Sequence, residues 1–196
     1  MSTPSTTRPA PTRERLIRAA SALFYQEGTV AVGVDRICQQ AQVSKKSMYQ
    51  LFSTKDELIV AALQATAEQT LPQYLGVEED PRPARERMLD LFAWLDQVSS
   101  RPDYAGCPFV NTATELKDGE HPAAVAARGY KQQLTDFFEA QAEAAGAAVP
   151  GLLAQMLTVA FDGCGARVVV TGEPLNGLAV ATATALIDSA LTTKAG

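Results

Sequence analysis

Residues 43–58 read VSKKSMYQLFSTKDEL, a stretch that contains the start signals of two successive helices. Ser44 stands before a lysine pair, where its hydroxyl can accept a hydrogen bond from a backbone N–H of the first helical turn. Thr54, with Glu57 three residues later, has the spacing of a capping box. The stretch therefore predicts one short helix over 45–52 and another that starts at Thr54.

Two more short helices are expected upstream. Apolar residues at helical spacing predict a helix over 12–26, which Gly28 ends, and another over 34–41. A break at residues 42–44 separates the second helix from the third. Cys38, on the inner face of the second helix, is interpreted as a small packing residue. The side chains expected to point inward from the third helix are Met48, Tyr49 and Phe52.

The rest of the chain continues with helical patterns. A strongly amphipathic helix begins at Pro83, and a long one is expected over 122–146. The last two segments, roughly 150–171 and 174–193, are rich in Ala, Val, Leu and Thr and carry few charges. Residues 106–116 form a short apolar segment between turn signals. Because no two-residue alternation persists anywhere, the predicted fold class is all-α.

The chain is acidic overall, but its N-terminal part is basic. Its net charge is -5, and 46% of its residues are hydrophobic and 20% charged, which is typical of a globular protein. Residues 1–60 carry eight Lys or Arg and five Asp or Glu, whereas the remaining 136 residues carry nine and seventeen. The positive excess is therefore confined to one end, and only this end is expected to meet a polyanion.

Several classes of protein are disfavoured by what the sequence lacks. Residues 1–11 are polar and rich in proline, so they are expected to be a flexible arm and not a secretory signal. No run approaches the roughly 18 uninterrupted apolar residues of a membrane helix, so a cytoplasmic protein without a membrane partner is expected. Cys38, Cys107 and Cys164 have no CxxC spacing, which supports neither a disulfide framework nor a metal site. No cofactor is expected.

Two short helices joined by a tight turn predict a helix-turn-helix, whose second helix enters the major groove of double-stranded DNA by its N-terminal residues. That helix N-terminus carries partial positive charge and free N–H groups, to which Lys45 and Lys46 add. Gln50 can pair in bidentate fashion with adenine, while Tyr49 is expected to place its ring in the small core and its hydroxyl on a phosphate. The side chains that can reach phosphates or base edges are Ser44, Ser47 and Gln50.

The N-terminal part contains an ordered series of motifs: AA-x-x-LF at 19–24, D-x-I at 35–37, V-S-K-x-x-x-Y-x-x-F at 43–52 and K-x-x-L at 55–58. This series, within residues 12–63, resembles the DNA-binding segment of the TetR/AcrR transcriptional regulators. The resemblance implies that the residues lining the DNA are Ser44, Lys45, Lys46, Ser47, Tyr49 and Gln50, with Lys55 on a phosphate.

The sequence departs from the family pattern at two positions. Gln42 stands where the family usually has the turn glycine, so a positive φ there would cost about 1 kcal/mol. Leu51 replaces the Tyr or His that often precedes the Phe, which removes a phosphate contact. Arg8 and Arg13, placed in the arm, are either minor-groove contacts or part of a solvated tail.

The resemblance also implies a division into three parts: an arm at 1–11, a helix-turn-helix domain at 12–57, and a helical effector-binding and dimerisation domain at 58–196. In the family the last two helices form a four-helix bundle with the partner subunit, so a homodimer is expected. A buried helix pair inside a monomer is the alternative. The small residues suited to such close packing are Ala160, Gly163, Ala166, Ala179, Ala183 and Ala190.

An effector pocket for a small molecule of unknown identity is implied as well. Its candidate lining residues are Phe92, Trp94, Tyr104, Phe109, Asn111, Tyr130, Phe137, Met156, Phe161 and Asp162. Any of these aromatic residues can instead belong to the core. His121 is a further polar candidate, although a capping or surface role explains it equally. The function implied is a sequence-specific regulator, usually a repressor, which binds a palindromic operator as a homodimer and is released by the effector.

Two other functions compete with this one. A redox-sensing regulator acting through Cys107 and Cys164 is the alternative. An enzyme is not expected, because the chain has no G-x-S-x-G, no phosphate loop and no H-E-x-x-H, and it has a single histidine.

Overall fold

The computed structural model describes residues 10–75 and 80–192, and within this part the chain forms nine helices and no strand. The all-α prediction is therefore confirmed. Residues 1–9, which make up most of the expected arm, lie outside the described residues. The helices are α1 Thr12–Glu27, α2 Val34–Ala41, α3 Lys45–Leu51, α4 Lys55–Leu75, α5 Ala84–Val98, α6 Pro108–Leu116, α7 Pro122–Ala144, α8 Pro150–Thr171 and α9 Leu178–Thr192.

The first three helices and the beginning of α4 share one core. Each contributes a side chain with 0% exposed surface, and these are Leu16, Ile37, Met48 and Leu58. Because α3 has only 7 residues, it is too short to be stable alone, and packing of Met48 and Phe52 against the other helices holds it in place. Cys38 is buried in the same core, as expected.

The predicted capping box is present at the start of α4 in a shifted form. The Thr54 hydroxyl accepts a hydrogen bond from the Glu57 N–H at 3.1 Å. The Glu57 carboxylate accepts in return from the N–H of Ser53, at 2.7 Å, one residue earlier than in the usual arrangement. From there α4 continues to Leu75, so it crosses the boundary expected between residues 57 and 58.

A second core lies in the body of the protein, between α5, α7, α8 and α9. The Phe92 ring lies at its centre, with ring centroids 5.8 Å from Phe138 and 5.5 Å from Phe161. Residues 108–116, expected only as an apolar segment, form the helix α6. Pro108 occupies a first-turn position of α6, where its missing N–H costs nothing.

Helix α9 begins at Leu178, later than the apolar pattern that starts at Pro174. Asn176 and Gly177 have φ values of 51° and 88°, which a right-handed helix excludes. The carboxylate of Asp96 on α5 accepts hydrogen bonds from three N–H groups at the start of α9, at 3.1, 3.2 and 3.1 Å. A distant side chain therefore decides where α9 starts.

Helix α8 is long and apolar enough to cross a membrane by length and composition, with a mean hydropathy of 1.3. This differs from the expectation that no segment of the chain would qualify. However, 39% of that apolar window is buried inside the protein, in the body core. A core helix of a globular protein has the same composition, so α8 is weak evidence for a membrane.

Candidate DNA-binding interface and effector cavity

The N-terminus of α3 is capped as the sequence predicts. Ser44 has an extended backbone, with φ -71° and ψ 150°, and its Oγ accepts a hydrogen bond from the Ser47 N–H at 3.0 Å. The Ser44 and Ser47 hydroxyls also lie 2.9 Å apart. Both hydroxyls therefore stand at the exposed end of the helix that a helix-turn-helix presents to DNA.

The sides of α3 divide cleanly between core and solvent. Met48 is 0% exposed and Phe52 is 4% exposed, as expected for core residues. Tyr49 is 52% exposed, so the expectation that its ring belongs to the core does not hold; the helix periodicity places it on the outer side. Lys45, Lys46 and Gln50 are exposed on the same outer side as Tyr49.

The three lysines of this region have different surroundings. Lys45 forms an exposed ion pair with Asp35 of α2, at 2.5 Å. In the described part of the chain, Lys46 has no ion-pair partner. Lys55 donates to the carbonyl oxygen of Val30 at 3.3 Å and lies 5.9 Å from the Phe24 ring centroid, and burial lowers its pKa. Lys46 is thus the least engaged of these cations.

Arg13 is not part of the arm. It lies in the first turn of α1, where its guanidinium carbon is 5.3 Å from the centroid of the Phe52 ring. The contact is a cation–π arrangement between α1 and the residue that follows α3. Arg8, the other arginine considered for the minor groove, lies outside the described residues.

Gln42 ends α2 in the left-handed conformation, with φ 54° and ψ 48°. The N–H of the next residue, Val43, donates to the Cys38 carbonyl oxygen at 2.9 Å, which closes the helix end. The position therefore does require a positive φ, and a glutamine there costs about 1 kcal/mol relative to glycine. The left-handed turn therefore forms with a residue other than glycine at this position.

A cavity of about 360 Å³ lies where α1 and α4 meet the body of the protein. Its walls come from α1, α4, α5, α6 and the loop before α6, and a smaller cavity of about 90 Å³ adjoins it toward α7 and α8. Three expected pocket residues line the larger cavity, namely Trp94, Tyr104 and Asn111. The smaller cavity is lined by Trp94 and Tyr104 again and by Phe109, Tyr130 and Phe161.

The other four expected pocket residues line neither of these two cavities. Phe92 is fully buried, and Phe137 packs on Phe138 with ring centroids 5.8 Å apart. Met156 is 41% exposed on the outer surface of α8. Asp162 forms an ion pair with Lys131 at 2.5 Å, and it is Lys131 that lines the smaller cavity.

His121 has the capping role that was considered for it. Its Nδ1 accepts a hydrogen bond from the Ala123 N–H at 3.1 Å, at the start of α7. Its Nε2 lies 3.4 Å from Asp56 in the first turn of α4.

Four hydrogen bonds join the end of α1 to the α6 region, and the sequence patterns did not point to them. Two connect α1 to the loop before α6: the Ala105 N–H donates to the Tyr25 hydroxyl at 2.8 Å, and the Gln26 amide donates to the Asp103 carbonyl oxygen at 2.7 Å. The other two connect the segment after α1 to α6 itself. They are the hydroxyl pair Thr29 and Thr112 at 3.4 Å, and the Val30 N–H to the Glu115 carboxylate at 3.1 Å. These residues are more than seventy positions apart in the chain, so no local pattern signals the contact.

The structure also bears on the two cysteines of the redox alternative. Burial raises the pKa of the Cys107 thiol, an effect that the nearby Lys131 opposes only in part. Burial raises the pKa of Cys164 too. A raised pKa leaves little thiolate at neutral pH, which disfavours rapid oxidation. Among the described residues, no group of three or more His, Cys, Asp or Glu is arranged to hold a metal ion.

Comparison with known proteins matches residues 16–62 to the family described as bacterial regulatory proteins, tetR family. The crystal structure of a TetR transcriptional regulator from Streptomyces avermitilis is 43% identical, covers 92% of this chain and 98% of its own, and superposes with a TM-score of 0.87. A TetR-family regulator from Streptomyces coelicolor is 25% identical, covers 94% of this chain and 96% of its own, and has a TM-score of 0.82.

Two curated proteins match shorter parts. The nicotine-responsive transcriptional repressor HdnoR of Paenarthrobacter nicotinovorans is 31% identical over 90 residues, which are 44% of this chain and 46% of that protein. The transcriptional activator FasR of Mycolicibacterium smegmatis is 48% identical over 52 residues, 26% of this chain and 24% of that protein. The matches thus span less than half the length of these curated relatives.

Proposed function

Because this chain belongs to the TetR family of bacterial transcriptional regulators, which are DNA-binding proteins and not enzymes, we propose that it binds a palindromic operator as a homodimer and is released by a small-molecule effector. The observation that carries the proposal is the exposed N-terminus of α3. Its capped first turn presents two hydroxyls, and Lys46 beside them has no ion-pair partner in the described part of the chain.

The residues proposed to contact DNA differ in what they do. Lys45 and Lys46 contribute charge to phosphate binding, while Gln50 and Ser47 are placed to reach base edges. Tyr49 offers an exposed hydroxyl to a phosphate, and Ser44 contacts the backbone. Lys55 must leave the Val30 carbonyl oxygen to reach a phosphate, so its contribution is proposed to be smaller.

A homodimer through α8 and α9 is supported by the outer face of α8. Exposed apolar or small residues follow one another there at helical spacing, namely Leu152, Met156, Val159, Gly163, Ala166 and Val170. A Cβ at Gly163 would meet no atom within 4 Å, which leaves room for a close approach by another helix. An apolar stripe of this kind on a helix surface is typical of a subunit interface.

Part of the expected interface belongs to the core instead. Ala179 and Ala183 of α9 are 0% exposed inside this subunit, so they are not available to a partner. The exposed side of α9 carries Leu178, Ala181 and Ala185, which take their place in the proposed interface. The monomer alternative is disfavoured because Val159 and Val170 are 72% and 84% exposed.

The proposed effector site is the cavity between the DNA-binding domain and the body. A pocket of this size is typical for a small molecule. HdnoR is named as nicotine-responsive, but the match to it covers only 44% of this chain, so nicotine is not carried over. Repression is proposed because the longer of the two curated matches is to a repressor. A cytoplasmic location is proposed because the chromosome lies there.

The experiment that tests the proposal is selection of bound sequences from a random duplex pool with the purified protein at a stated salt concentration. We expect enrichment of a palindrome whose half-sites lie about one helical turn, roughly 34–36 Å, apart. A Lys46→Ala variant serves as the control for binding through α3. No enrichment even at low salt would contradict DNA binding, and enrichment of a single half-site would contradict the dimer.

A further inference from the structure

From the cavity between the two domains, we propose that the effector is an uncharged, flat, largely apolar molecule with a hydroxyl or similar hydrogen-bonding group, and that it lies directly against α1 of the DNA-binding domain. This inference rests on the proposed function, in that the cavity is taken to be the effector site. It adds the chemical class of the ligand and the position of the ligand against the domain that contacts DNA.

The size and lining of the cavity suit a small molecule. Its volume of about 360 Å³ lies within the range typical of ligand pockets, roughly 300–1,000 Å³. Its walls include the aromatic rings of Phe24, Tyr25, Trp94 and Tyr104, which favour a planar, apolar molecule.

The charges around the cavity are already paired. Arg101 and Asp103, which lie on its wall, form a bidentate pair with each other at 3.0 and 2.7 Å. Lys131 of the adjoining cavity is paired with Asp162 at 2.5 Å. An ionised ligand would therefore lose its hydration without gaining a free counter-charge, and this cost is far larger for an ion than for a neutral hydroxyl.

Two polar groups in the wall remain to be satisfied. The Tyr104 hydroxyl has no hydrogen-bond partner among the residues that the structure describes, and it is not fully buried. The Asn111 amide nitrogen donates to the Ala105 carbonyl oxygen at 2.7 Å, and its amide oxygen has no donor within the same described residues. A hydroxyl on the ligand can donate to that oxygen or accept from Tyr104. The site thus selects for a hydrogen-bonding group on an apolar body.

The position of the cavity gives the ligand direct access to the DNA-binding domain. Ser21, Phe24 and Tyr25 of α1 line the cavity, together with Val98 of α5. Tyr25, which lines the cavity, also accepts the hydrogen bond from Ala105, so an occupant would contact a residue that joins α1 to the loop before α6. The ligand is therefore placed to bias the orientation of α1 without an intermediate helix.

The inference is tested by isothermal titration calorimetry of the full chain with three probes that share one ring system. The probes are 2-naphthol, which is neutral, 2-naphthoate, an anion, and 2-naphthylmethylammonium, a cation. We expect 2-naphthol to bind at least about tenfold more tightly than either ion, because the ions lack a counter-charge. Equal or tighter binding of an ion overturns the ligand class, and no binding of any probe overturns the inference as a whole.

Two variants test the location. Thr66→Met fills the cavity from α4, and because the Thr66 hydroxyl bonds only its own helix, at Ala62, no contact between helices is lost. We expect it to weaken 2-naphthol binding by more than about tenfold, and Tyr104→Phe to weaken it by about fivefold. Thr114→Met, on α6 outside the cavity with the same type of hydroxyl bond, is the matched control and should bind normally.

The outcomes separate this inference from the proposed function. Tight binding of 2-naphthol that Thr66→Met leaves unchanged overturns the location alone. Failure of the protein to select any duplex overturns the proposed function, while the calorimetry on the free protein still reports on the ligand class and its site.

Discussion

The hydroxyl of Tyr25 on α1 accepts a hydrogen bond from the backbone N–H of Ala105, at 2.8 Å, and so ties the DNA-binding domain to the loop before α6. Removing the hydroxyl leaves the half-buried N–H of Ala105 without a hydrogen-bond partner. We therefore expect Tyr25→Phe to lower the free energy of unfolding by about 1–2 kcal/mol, measured by urea denaturation.

The control for this variant is Tyr49→Phe. Tyr49 is 52% exposed and its hydroxyl lies on the surface, so its loss should change the unfolding free energy by less than about 0.5 kcal/mol. Equal effects of the two substitutions would show that the bond to Ala105 contributes nothing specific.

Gln42 provides a second prediction, because it holds a left-handed conformation that glycine adopts without cost. Gln42→Gly should raise the free energy of unfolding by up to about 1 kcal/mol. Gln40→Gly, at an exposed position within α2, should lower the free energy of unfolding by about 0.5–1 kcal/mol, since glycine is unfavourable within a helix. Thermal or urea unfolding measures both, and a shift of the same sign in the two variants contradicts the argument.

DNA binding should separate the roles of Lys46 and Gln50. Lys46→Ala should weaken binding to most sequences and reduce the slope of log affinity against log salt by about one unit. Gln50→Ala should relax discrimination at one base pair by about 1–3 kcal/mol. Both are measured by fluorescence anisotropy on the selected operator and on single-base variants of it.

Arg128→Ala is the matched control for Lys46→Ala, because it removes one exposed positive charge from α7, away from α3. It should leave the salt slope unchanged. If Lys46→Ala and Gln50→Ala both bind like the unaltered protein, then α3 is not the helix that reads DNA.

The dimer is tested at Val159, which is 72% exposed on the outer face of α8. A charge in a buried apolar interface lacks a partner, so Val159→Glu should convert dimers into monomers. Light scattering after size-exclusion chromatography gives the mass. Val125→Glu, at a 47% exposed position on α7, should leave the mass unchanged; a monomer for the unaltered protein would contradict the proposed interface.

The thiols provide a prediction that depends on pH. Burial raises the pKa of Cys107 and Cys164. At a given pH below the raised pKa values, a smaller fraction of each thiol is therefore in the reactive thiolate form than in free cysteine. Labelling by a disulfide reagent at pH 8 should therefore be slower than for free cysteine and should accelerate as the pH rises. Fast labelling of Cys107 at pH 8 would revive the redox alternative, and labelling of the urea-unfolded chain confirms that every thiol can react.

Local physics accounts for what could be predicted from the sequence. Ser44 caps α3 because a serine hydroxyl can reach the N–H of Ser47 within one turn, and this requires no information from elsewhere in the chain. The same is true of α1 and α2, whose bounds follow from apolar spacing and a terminal Gly or left-handed residue. The DNA-facing candidates on α3 followed from their position at the start of that helix and from the family resemblance, although the ring of Tyr49 was expected in the core and is 52% exposed.

The sequence by itself therefore determined the all-α class, the position of the helix-turn-helix and the family to which the chain belongs. The tertiary structure alone decided which side chains meet across long separations: Asp96 at the start of α9, Tyr25 at Ala105, and the cavity wall shared by α1 and α5. The physical reason is the distance along the chain over which each effect acts. Capping and helical periodicity act within a few residues, whereas burial and cavity formation depend on how whole helices pack.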